Sequence, residues 1–324
     1  MPLFSSVRFA MVMLHESQTA SAVLLIRPAG FLSNPQTAES NAFQQAATLL
    51  AEDLQTQALA EWQGLAELLQ DAGVKTIVFD DTEQPAKPDA LYPNNWVSFH
   101  ADGTVVLYPL EAENRRHERR MDIIESLSRD HGYSVRRIID LSPLEQEGVY
   151  VESTGSMVLD RVNHVAYACL SSRTHTEGLA RFGQQLGYEM VVFDARDGNG
   201  KAIYHTNFLM SIGDRFAIVC LEAITDDKQR DAVRSRLQSS GRTVIAISIE
   251  QMNQSVGNVL ELKTTDENPI LVMSGRAQRA INAAQWSAIT PLAEPLVAEL
   301  DTIEQAGGGS ARCMIAEVHL PAQA

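Results

Sequence analysis

The strongest constraint on the fold is a pattern of four elements that recurs along the chain. In each copy, two short strands joined by a turn precede a helix and a third strand, which makes a ββαβ unit. Four such units begin near residues 96, 156, 206 and 259, and this spacing of about 50–60 residues is typical of repeat architectures. The fourth unit, whose predicted helix covers residues 278–289, has no recognisable closing strand. The helices of the other three units are predicted over residues 113–131, 174–186 and 226–239.

The two ends of the chain supply the elements of a fifth unit. Residues 313–320 alternate as a strand does, residues 23–26 and 75–79 form apolar strands, and residues 42–72 have helical periodicity. Joining these segments closes a ring and removes its open ends. We therefore predict an α/β fold, a five-bladed ββαβ propeller closed by the N- and C-terminal segments. The alternative is an unrelated α/β sandwich, but a doubly wound fold alternates single strands with helices, whereas hairpins precede the helices here.

The charge balance of the chain bears on its partners. The 324 residues include 26 Lys and Arg against 41 Asp and Glu, a formal net charge of −15. This argues against nucleic acid as a partner, because phosphate binding requires clustered Lys and Arg, and against an anionic membrane surface. No apolar stretch is long enough to span a bilayer. The charge says nothing specific about a small-molecule partner, and the sequence leaves open whether the chain forms a homo-oligomer.

The cysteines and histidines indicate a compartment and bear on cofactors. Cys169, Cys220 and Cys313 are widely spaced and odd in number, and no CxxC motif is present. We therefore expect no disulfide framework and a reducing, cytoplasmic location. The eight histidines form no HxxxH or related grouping, so we predict no metal site and no other cofactor.

Residues 1–21 are predicted to be a frayed or disordered extension. Their apolar run, residues 9–14, is shorter than the roughly 7–15 residues of a signal-peptide core, and His15 and Glu16 interrupt it. Met11 and Met13 are alternative start residues. Residues 22–324 are predicted to form a single domain.

A ring of this kind brings distant polar residues together. The first strand of each unit starts near the central axis, so an acid, a histidine and a cysteine fall at equivalent points of three units. The residues at these starts are Asn94 and Asn95, Glu152, His205, Gly257 and Asn258, and Cys313. Cys313 also follows glycines 307–309, whose backbone can turn sharply and pass close to a ligand. A lone free cysteine is more often a small buried hydrophobe, but this convergence favours a nucleophile.

The same residues resemble the guanidine-modifying, or pentein, superfamily, which includes arginine deiminases, dimethylarginine dimethylaminohydrolases and amidinotransferases. Its shared marks are an acid in a Glu-Gly-Gly-Asp-like segment, a histidine that opens a central strand, and a cysteine behind a Gly-rich loop. The matching segments are VESTGS (151–156), YHTN (204–207) and GGSARC (308–313). A fourth segment, PDALYPNNWVS (88–98), is most similar to the branch of citrulline-utilisation hydrolases. The resemblance covers the chain from residue 22 to its end.

The resemblance implies a cysteine hydrolase that cleaves a C–N bond through a covalent intermediate on Cys313. His205 is expected to protonate the leaving nitrogen and to activate water, and Glu152 to accept hydrogen bonds from the substrate's N–H groups. A cation, either His205 or a cationic substrate, is expected to lower the pKa of the Cys313 thiol. The residues expected to bind substrate are Asp89, Asn94, Asn95, Asn207 and Arg173, the last by holding a carboxylate.

Two departures from the family pattern bear on the substrate. Many relatives have an acid where Asn95 stands, and arginine deiminases have one where Asn207 stands. An amide offers both a donor and an acceptor, which suits a neutral ureido group better than a guanidinium cation. The expected reaction is therefore the cleavage of citrulline to ornithine. The alternatives are arginine deiminase, dimethylarginine dimethylaminohydrolase or amidinotransferase activity, and a binding protein without catalytic residues on the same scaffold.

Overall fold

The structure, a computed structural model, describes residues 16–41, 43–45 and 50–323. The strands found there are β1 (Ala22–Arg27), β2 (Lys75–Asp80), β3 (Val97–Phe99), β4 (Thr104–Leu107), β5 (Arg137–Asp140), β6 (Val158–Asp160), β7 (Val165–Cys169), β8 (Glu189–Phe193), β9 (Met210–Ile212), β10 (Phe216–Val219), β11 (Thr243–Ala246), β12 (Leu260–Lys263), β13 (Pro269–Ser274), β14 (Glu294–Ala298) and β15 (Ala316–Glu317). The α-helices are α1 (Ala51–Asp71), α2 (Met121–Arg129), α3 (Ser153–Ser156), α4 (Thr176–Leu186), α5 (Asp227–Ser239), α6 (Ile249–Met252), α7 (Gly275–Ala280), α8 (Ala283–Ile289) and α9 (Asp301–Gly307).

These strands form five three-stranded sheets with one topology. In each sheet the middle strand pairs antiparallel with the first strand and parallel with the third, as a hairpin followed by a helical crossover requires. The strand orders are β3-β4-β5, β6-β7-β8, β9-β10-β11, β12-β13-β14 and β15-β1-β2. The predicted α/β fold of five ββαβ blades is therefore confirmed.

The fifth blade joins the two ends of the described chain. Strand β1 is its middle strand and pairs in parallel with β2 over six residues. On its other side, Val23 and Leu24 pair antiparallel with Glu317 and Ala316 of β15. The C-terminal strand is much shorter than the predicted residues 313–320.

The strands differ in burial according to their place in the blade. The middle strands β4, β7, β10 and β13 are buried throughout or nearly so, which explains their continuous apolar sequences. The third strands are more exposed, and three of the four residues of β5 are exposed. The apolar core is therefore formed mainly by the first and middle strands of the blades. The polar residues that precede the first strands are themselves buried.

Two predicted helices are shorter than the apolar pattern suggested. Of the predicted helix over residues 42–72, helix α1 accounts for the part from Ala51 onwards; residues 43–45 are not helical, and positions 42 and 46–49 lie outside the described residues. The predicted helix over residues 113–131 is a 3₁₀ turn followed by α2, because Arg119 and Arg120 adopt extended backbone angles between them.

The fourth blade is complete, contrary to the expectation that it lacks a closing strand. Strand β14 pairs in parallel with β13, and its Pro295 hid it from the sequence pattern. A proline is tolerated because β14 is an edge strand, where its missing N–H breaks no ladder bond. The predicted helix of this blade is divided into α7 and α8, since Asn282 caps α8 by accepting a hydrogen bond from Gln285 N.

The predicted frayed extension is partly wrong. Its first fifteen residues lie outside the described residues, but Glu16 and Gln18 are buried. The Gln18 side-chain amide donates to Leu159 O (2.9 Å) in the second blade and to Ile212 O (3.1 Å) in the third. Residues 16–21 therefore belong to the folded part, which was predicted to start at residue 22, because this segment satisfies backbone carbonyls of neighbouring blades.

Glu16 gives a test of this segment. Burial raises the pKa of its carboxyl, but Arg161, whose Nη1 donates to Oε1 at 2.7 Å, helps to lower it to about 2. The lowered pKa of Glu16 stabilises the folded protein. This contribution to the free energy of unfolding is present above pH 4.5 and is lost as pH falls from 4.5 to 2, and a pKa difference of this size corresponds to about 3 kcal/mol at neutral pH. We expect Glu16→Gln to lower the free energy of unfolding in urea by this amount at pH 7 and much less at pH 3. The exposed Glu125→Gln is the control, and an equal loss at both pH values would contradict the ion-pair account.

No helix in the described part of the chain is both long enough and apolar enough to cross a membrane.

Candidate active site

The first strands of the blades are preceded by short turns, and these turns bond to one another. A side chain of one turn reaches the backbone of a neighbouring blade in each case. The bonds run from Ser153 Oγ to Val97 O (3.1 Å), from Thr154 Oγ1 to Asn94 O (3.2 Å), from Thr206 Oγ1 to Ser156 O (2.6 Å) and from Asn258 Nδ2 to Asn207 O (3.0 Å). Residues far apart in the sequence therefore meet because adjacent blades hold each other's turns.

One glycine sets how closely these turns approach. A Cβ atom on Gly155 would lie 2.5 Å from Asn95 Nδ2 and 2.7 Å from His205 Nδ1. Such distances are below van der Waals contact, so any larger residue would displace both side chains. Gly155 therefore fixes the separation of the first, second and third blades at the axis.

Glu152 and His205 form the central hydrogen bond of the site. His205 Nε2 lies 2.8 Å from Glu152 Oε2, and the backbone N–H of Glu111 donates to Glu152 Oε1 at 3.0 Å. Arg173 Nη1 and Arg115 Nη1 lie 3.6 and 3.9 Å from Oε2. Burial alone would raise the pKa of Glu152, but Arg173, His205 and Arg115 lower it to about 2. Glu152 is therefore a carboxylate at neutral pH.

His205 is neutral at the same pH. Burial is the largest influence and lowers its pKa to about 4, although Glu152 opposes this. The carboxylate accepts the proton on Nε2, which leaves the lone pair on Nδ1. In the described residues Nδ1 has no hydrogen-bond partner, so its lone pair is free to accept a proton.

Cys313 is held beside two amides. Its thiol is 3% exposed, and Asn258 Nδ2 and Asn207 Nδ2 lie 3.2 and 3.5 Å from Sγ. Its backbone N–H donates to Ser310 O at 2.9 Å, which anchors it in the turn before β15. Burial raises the pKa of this thiol. The expected lowering of the thiol pKa by His205 is therefore wrong for the unliganded protein, because the imidazole is uncharged.

The histidine and the cysteine face one cavity. Its walls come from the first-strand turns, from the loop after β1 and from the glycine loop before Cys313. The lining residues are Asn41, Asp89, Tyr92, Asn95, Arg115, Arg173, Tyr204, His205, Gly307, Gly309 and Cys313. A thiol, an imidazole and several polar groups thus share one cavity.

Comparison with known proteins connects this geometry to a family. Residues 27–320 match the family model described as N,N dimethylarginine dimethylhydrolase, eukaryotic. The chain belongs to this family. It is therefore a member of the pentein superfamily of guanidine-modifying enzymes, whose hydrolases act on C–N bonds, and the predicted superfamily is confirmed. A search of curated proteins finds no match.

Solved structures share the fold of this dimethylarginine dimethylhydrolase family member at low identity. The apo structure of ArgZ, an arginine dihydrolase from the ornithine-ammonia cycle in cyanobacteria, is 15% identical, with a TM-score of 0.69 over 93% of this chain and 41% of that chain. Unliganded AgrE is 17% identical, with a TM-score of 0.71 over 94% and 40%. This chain thus spans about two-fifths of these proteins. A mutant DDAH from Pseudomonas aeruginosa complexed with citrulline is 14% identical, with a TM-score of 0.63 over 92% and 99%.

The residues predicted from the sequence of this family member are brought together with one exception. Asp89, Asn95, Arg173, His205 and Cys313 line the cavity, Glu152 lies behind His205, and Asn207 contacts the thiol. Asn94 is buried but does not line the cavity.

Two further residues were missed by the sequence interpretation. Arg115 lines the cavity, donates from Nε and Nη2 to the two oxygens of Glu118 (both 2.9 Å) and donates from Nη1 to Asn95 Oδ1 (3.0 Å). The segment around Arg115 and Glu118 is rich in charged residues, which is typical of an exposed helix, so nothing in the sequence indicated that Arg115 is buried. Asn258 was recognised only as a strand start, and its contact with the thiol required the structure.

The site also holds polar atoms with no hydrogen-bond partner in the described residues. Asp89 Oδ1, Asn95 Nδ2 and Asn207 Oδ1 are all buried in this state. The amide of Asn95 is oriented by Arg115, since its oxygen accepts the guanidinium N–H. A buried polar atom without a partner is costly, so these groups indicate where a ligand bonds.

Within the described residues, no group of three or more His, Cys, Asp or Glu side chains has the geometry to hold a metal ion.

Proposed function

We propose that this family member is a cysteine hydrolase that cleaves a C–N bond of a ureido amino acid, with citrulline converted to ornithine. The observation that carries this proposal is a set of buried polar atoms without a partner in the described residues, on two residues that line the cavity with the thiol and on Asn207, which contacts the thiol. One is a donor, Asn95 Nδ2, and two are acceptors, Asp89 Oδ1 and Asn207 Oδ1.

A ureido group complements this set. Its carbonyl oxygen accepts a hydrogen bond from Asn95, and its N–H groups donate to Asp89 and Asn207. A guanidinium has donors only, so it would leave the Asn95 N–H buried and unpaired at a cost of about 1–3 kcal/mol. The number and type of free atoms therefore favour the neutral group.

The charges around the cavity support the same choice. Arg115 Nε lies 3.6 Å from Asp89 Oδ2, and Arg173 Nη1 lies 3.6 Å from Glu152 Oε2. Each of these carboxylates therefore already faces a cation of the protein. A cationic substrate gains less from them than it would from unpaired acids, and it also approaches two arginines.

The first half of the reaction uses the neutral histidine. The Cys313 thiol gives its proton to His205 Nδ1 as sulfur bonds to the ureido carbon. The bond from that carbon to the δ-nitrogen of ornithine then breaks, and the nitrogen takes the proton from His205. Ornithine leaves, and an S-carbamoyl group remains on Cys313. Glu152 stabilises the transient imidazolium and fixes its ring.

The second half releases the carbamoyl group. His205 takes a proton from water as the oxygen bonds to the carbonyl carbon, and the C–S bond then breaks. Cys313 regains a proton from His205, and the carbamate that leaves decomposes to carbon dioxide and ammonia. Arg173, whose guanidinium lies 4.7 Å from the centre of the Tyr204 ring, is the proposed partner of the substrate's α-carboxylate.

A second candidate is hydrolysis of a guanidino substrate such as an N-methylated arginine. The family description supports it, and so does the free oxygen of Asp89, which accepts from a guanidinium as well as from a urea. In that case the cationic substrate, rather than His205, favours the Cys313 thiolate. We further propose a cytoplasmic location, since all three cysteines are unpaired.

Substrate preference tests the proposal. Citrulline, arginine, N-methylated arginines, agmatine and succinylarginine are supplied in turn, with ornithine and ammonia both quantified. We expect citrulline to be the best substrate, and Asn95→Asp to raise the ratio of kcat/KM for arginine to that for citrulline by about 10- to 100-fold, because it replaces the free donor by a charged acceptor. Asn253→Asp, which makes the same change at an exposed position outside the cavity, is the control.

Three outcomes of this experiment would change the assignment. A wild type that hydrolyses arginine or methylated arginines and ignores citrulline overturns the ureido preference and leaves the cysteine mechanism standing. Transfer of an amidino group to an acceptor amine identifies a transferase instead. Turnover of no substrate favours the binding-protein alternative.

A further inference from the structure

The loop of residues 31–41, here termed the covering loop, lies over the cavity and reaches three of its walls. Ser40 Oγ accepts from Arg173 Nη2 at 2.7 Å, and Asn41 Nδ2 donates to Gly307 O at 3.1 Å. The third contact is made by Asn34, whose side chain is fully buried and donates from Nδ2 to Asp89 Oδ2 at 2.8 Å.

Every polar position of the Asn34 side chain is used within the protein. Besides Asp89, its Nδ2 donates to Asn114 Oδ1 at 3.2 Å. Its Oδ1 accepts from Asn114 Nδ2 at 2.9 Å and from Gln36 N at 3.0 Å. The orientation of the amide is set by Asp89, which can only accept, and by Gln36 N, which can only donate, because exchanging the Asn34 oxygen and nitrogen would lose both of these contacts.

The two oxygens of Asp89 differ in their hydrogen bonds. Oδ2 accepts from Asn34 and lies near Arg115, whereas Oδ1 has no partner among the described residues. A hydrogen bond from a rigid donor to one carboxylate oxygen restricts rotation of the carboxylate, so the free oxygen has a preferred direction. Without Asn34, Arg115 would be the nearest remaining partner and could take either oxygen.

We propose that Asn34 is a positioning and specificity-determining residue: its amide fixes one oxygen of Asp89 so that the other accepts an N–H of the substrate, and its lack of charge keeps the cavity suited to a neutral group. The inference deepens the proposed function and rests on it for the identity of the substrate. It assigns to the covering loop a role in choosing the substrate as well as in enclosing it.

Two substitutions at Asn34 separate position from charge. Asn34→Ala removes the bond to Asp89 and adds no charge, so we expect the KM for citrulline to rise about 10- to 100-fold with kcat changed by less than about threefold. Asn34→Asp keeps the acceptor contacts with Asn114 and Gln36 but places a second carboxylate against Asp89. It should lower kcat/KM for citrulline by at least as much, and raise the arginine-to-citrulline ratio at least about tenfold over that of Asn34→Ala.

Thr37→Val is the matched control, because it loosens the covering loop without touching Asp89. The Thr37 hydroxyl bonds to Gln44 Oε1 at 2.9 Å and to the backbone oxygen of Asn34 at 3.1 Å, and it contacts neither the Asn34 side chain nor Asp89. A KM change in Asn34→Ala no larger than that in Thr37→Val would overturn the proposal, as would equal losses for both substrates in Asn34→Asp. Thermal unfolding of the three variants shows that each is folded.

Alkylation of the thiol keeps the inference testable if citrulline is not the substrate. Chloroacetamide and chloroacetamidine share a shape and a leaving group and differ in charge. The ratio of their rates of reaction with Cys313, amidine over amide, should rise about tenfold in Asn34→Asp relative to Thr37→Val. An unchanged ratio would contradict the proposed role of Asn34. A wild type that does not hydrolyse citrulline would contradict only the proposed substrate.

Discussion

Replacing Cys313 with alanine is expected to abolish hydrolysis, with kcat falling by about 10⁴-fold or more. The thiol is the proposed nucleophile; it lines the cavity together with a neutral histidine, and no other cysteine does so among the described residues. The remaining residues could still bind substrate, because the free donor and acceptors on Asn95 and Asp89 are untouched. The measurement is turnover together with substrate binding by calorimetry, and binding should be retained.

The fold should tolerate this change. The side chain loses only a buried sulfur atom, so the free energy of unfolding should fall by about 1 kcal/mol. Cys169→Ala is the matched control, since that thiol is also buried but lies outside the cavity. Substantial hydrolysis by Cys313→Ala would refute the nucleophile assignment. Mass spectrometry of the wild type during turnover should detect the S-carbamoyl group on Cys313 alone.

Glu152→Gln is expected to have the next largest effect, a fall in kcat of about 10³- to 10⁴-fold. The carboxylate accepts the His205 Nε2 proton and stabilises the imidazolium that forms during attack. A glutamine can present its N–H₂ group instead, which would move the histidine proton to Nδ1 and remove the base. The buried guanidinium of Arg173 also loses a counter-charge, so the variant should be about 3 kcal/mol less stable.

Glu111→Gln controls for the loss of charge alone. Glu111 Oε2 lies 3.4 Å from Arg173 Nε, but its side chain does not contact His205. It should therefore alter kcat far less than Glu152→Gln does. The pH profile gives a second check: because His205 must be neutral and its pKa is about 4, kcat/KM of the wild type should fall on the acid side only near pH 4. An acid limb near pH 6.5 would contradict the assignment of His205 as the base.

The architecture could be predicted because it follows from local patterns. Hairpins followed by helices leave regular signals of alternation and periodicity, and the recurrence of the unit showed that the two chain ends must complete a blade. Strand β14 was missed because Pro295 is unfavourable in a strand unless the strand lies at an edge, and edge position is a property of the assembled sheet. The folded start at Glu16 was missed because its stability comes from contacts with other blades.

The proposed site residues divide in the same way. Glu152, His205 and Cys313 could be chosen from the sequence because each stands at the start of a blade's first strand, and symmetry brings such starts together. Arg115 could not be chosen from the sequence, since it lies in a charged turn between β4 and α2, and such a turn is usually exposed. Its burial depends on Asn95 and Glu118 closing around it.

The sequence by itself thus determined the number of blades and the hairpin-helix-strand plan of each, because these depend on patterns within single units. It also brought together Glu152, His205 and Cys313 as candidates, since each precedes the first strand of a blade. The charge states of the site were decided only by the tertiary structure. Burial is what makes His205 neutral and raises the pKa of Cys313, and the arginines are what keep Glu152 ionised. The same holds for Asn34 and Asp89, 55 positions apart, whose hydrogen bond exists only once the covering loop lies over the ring.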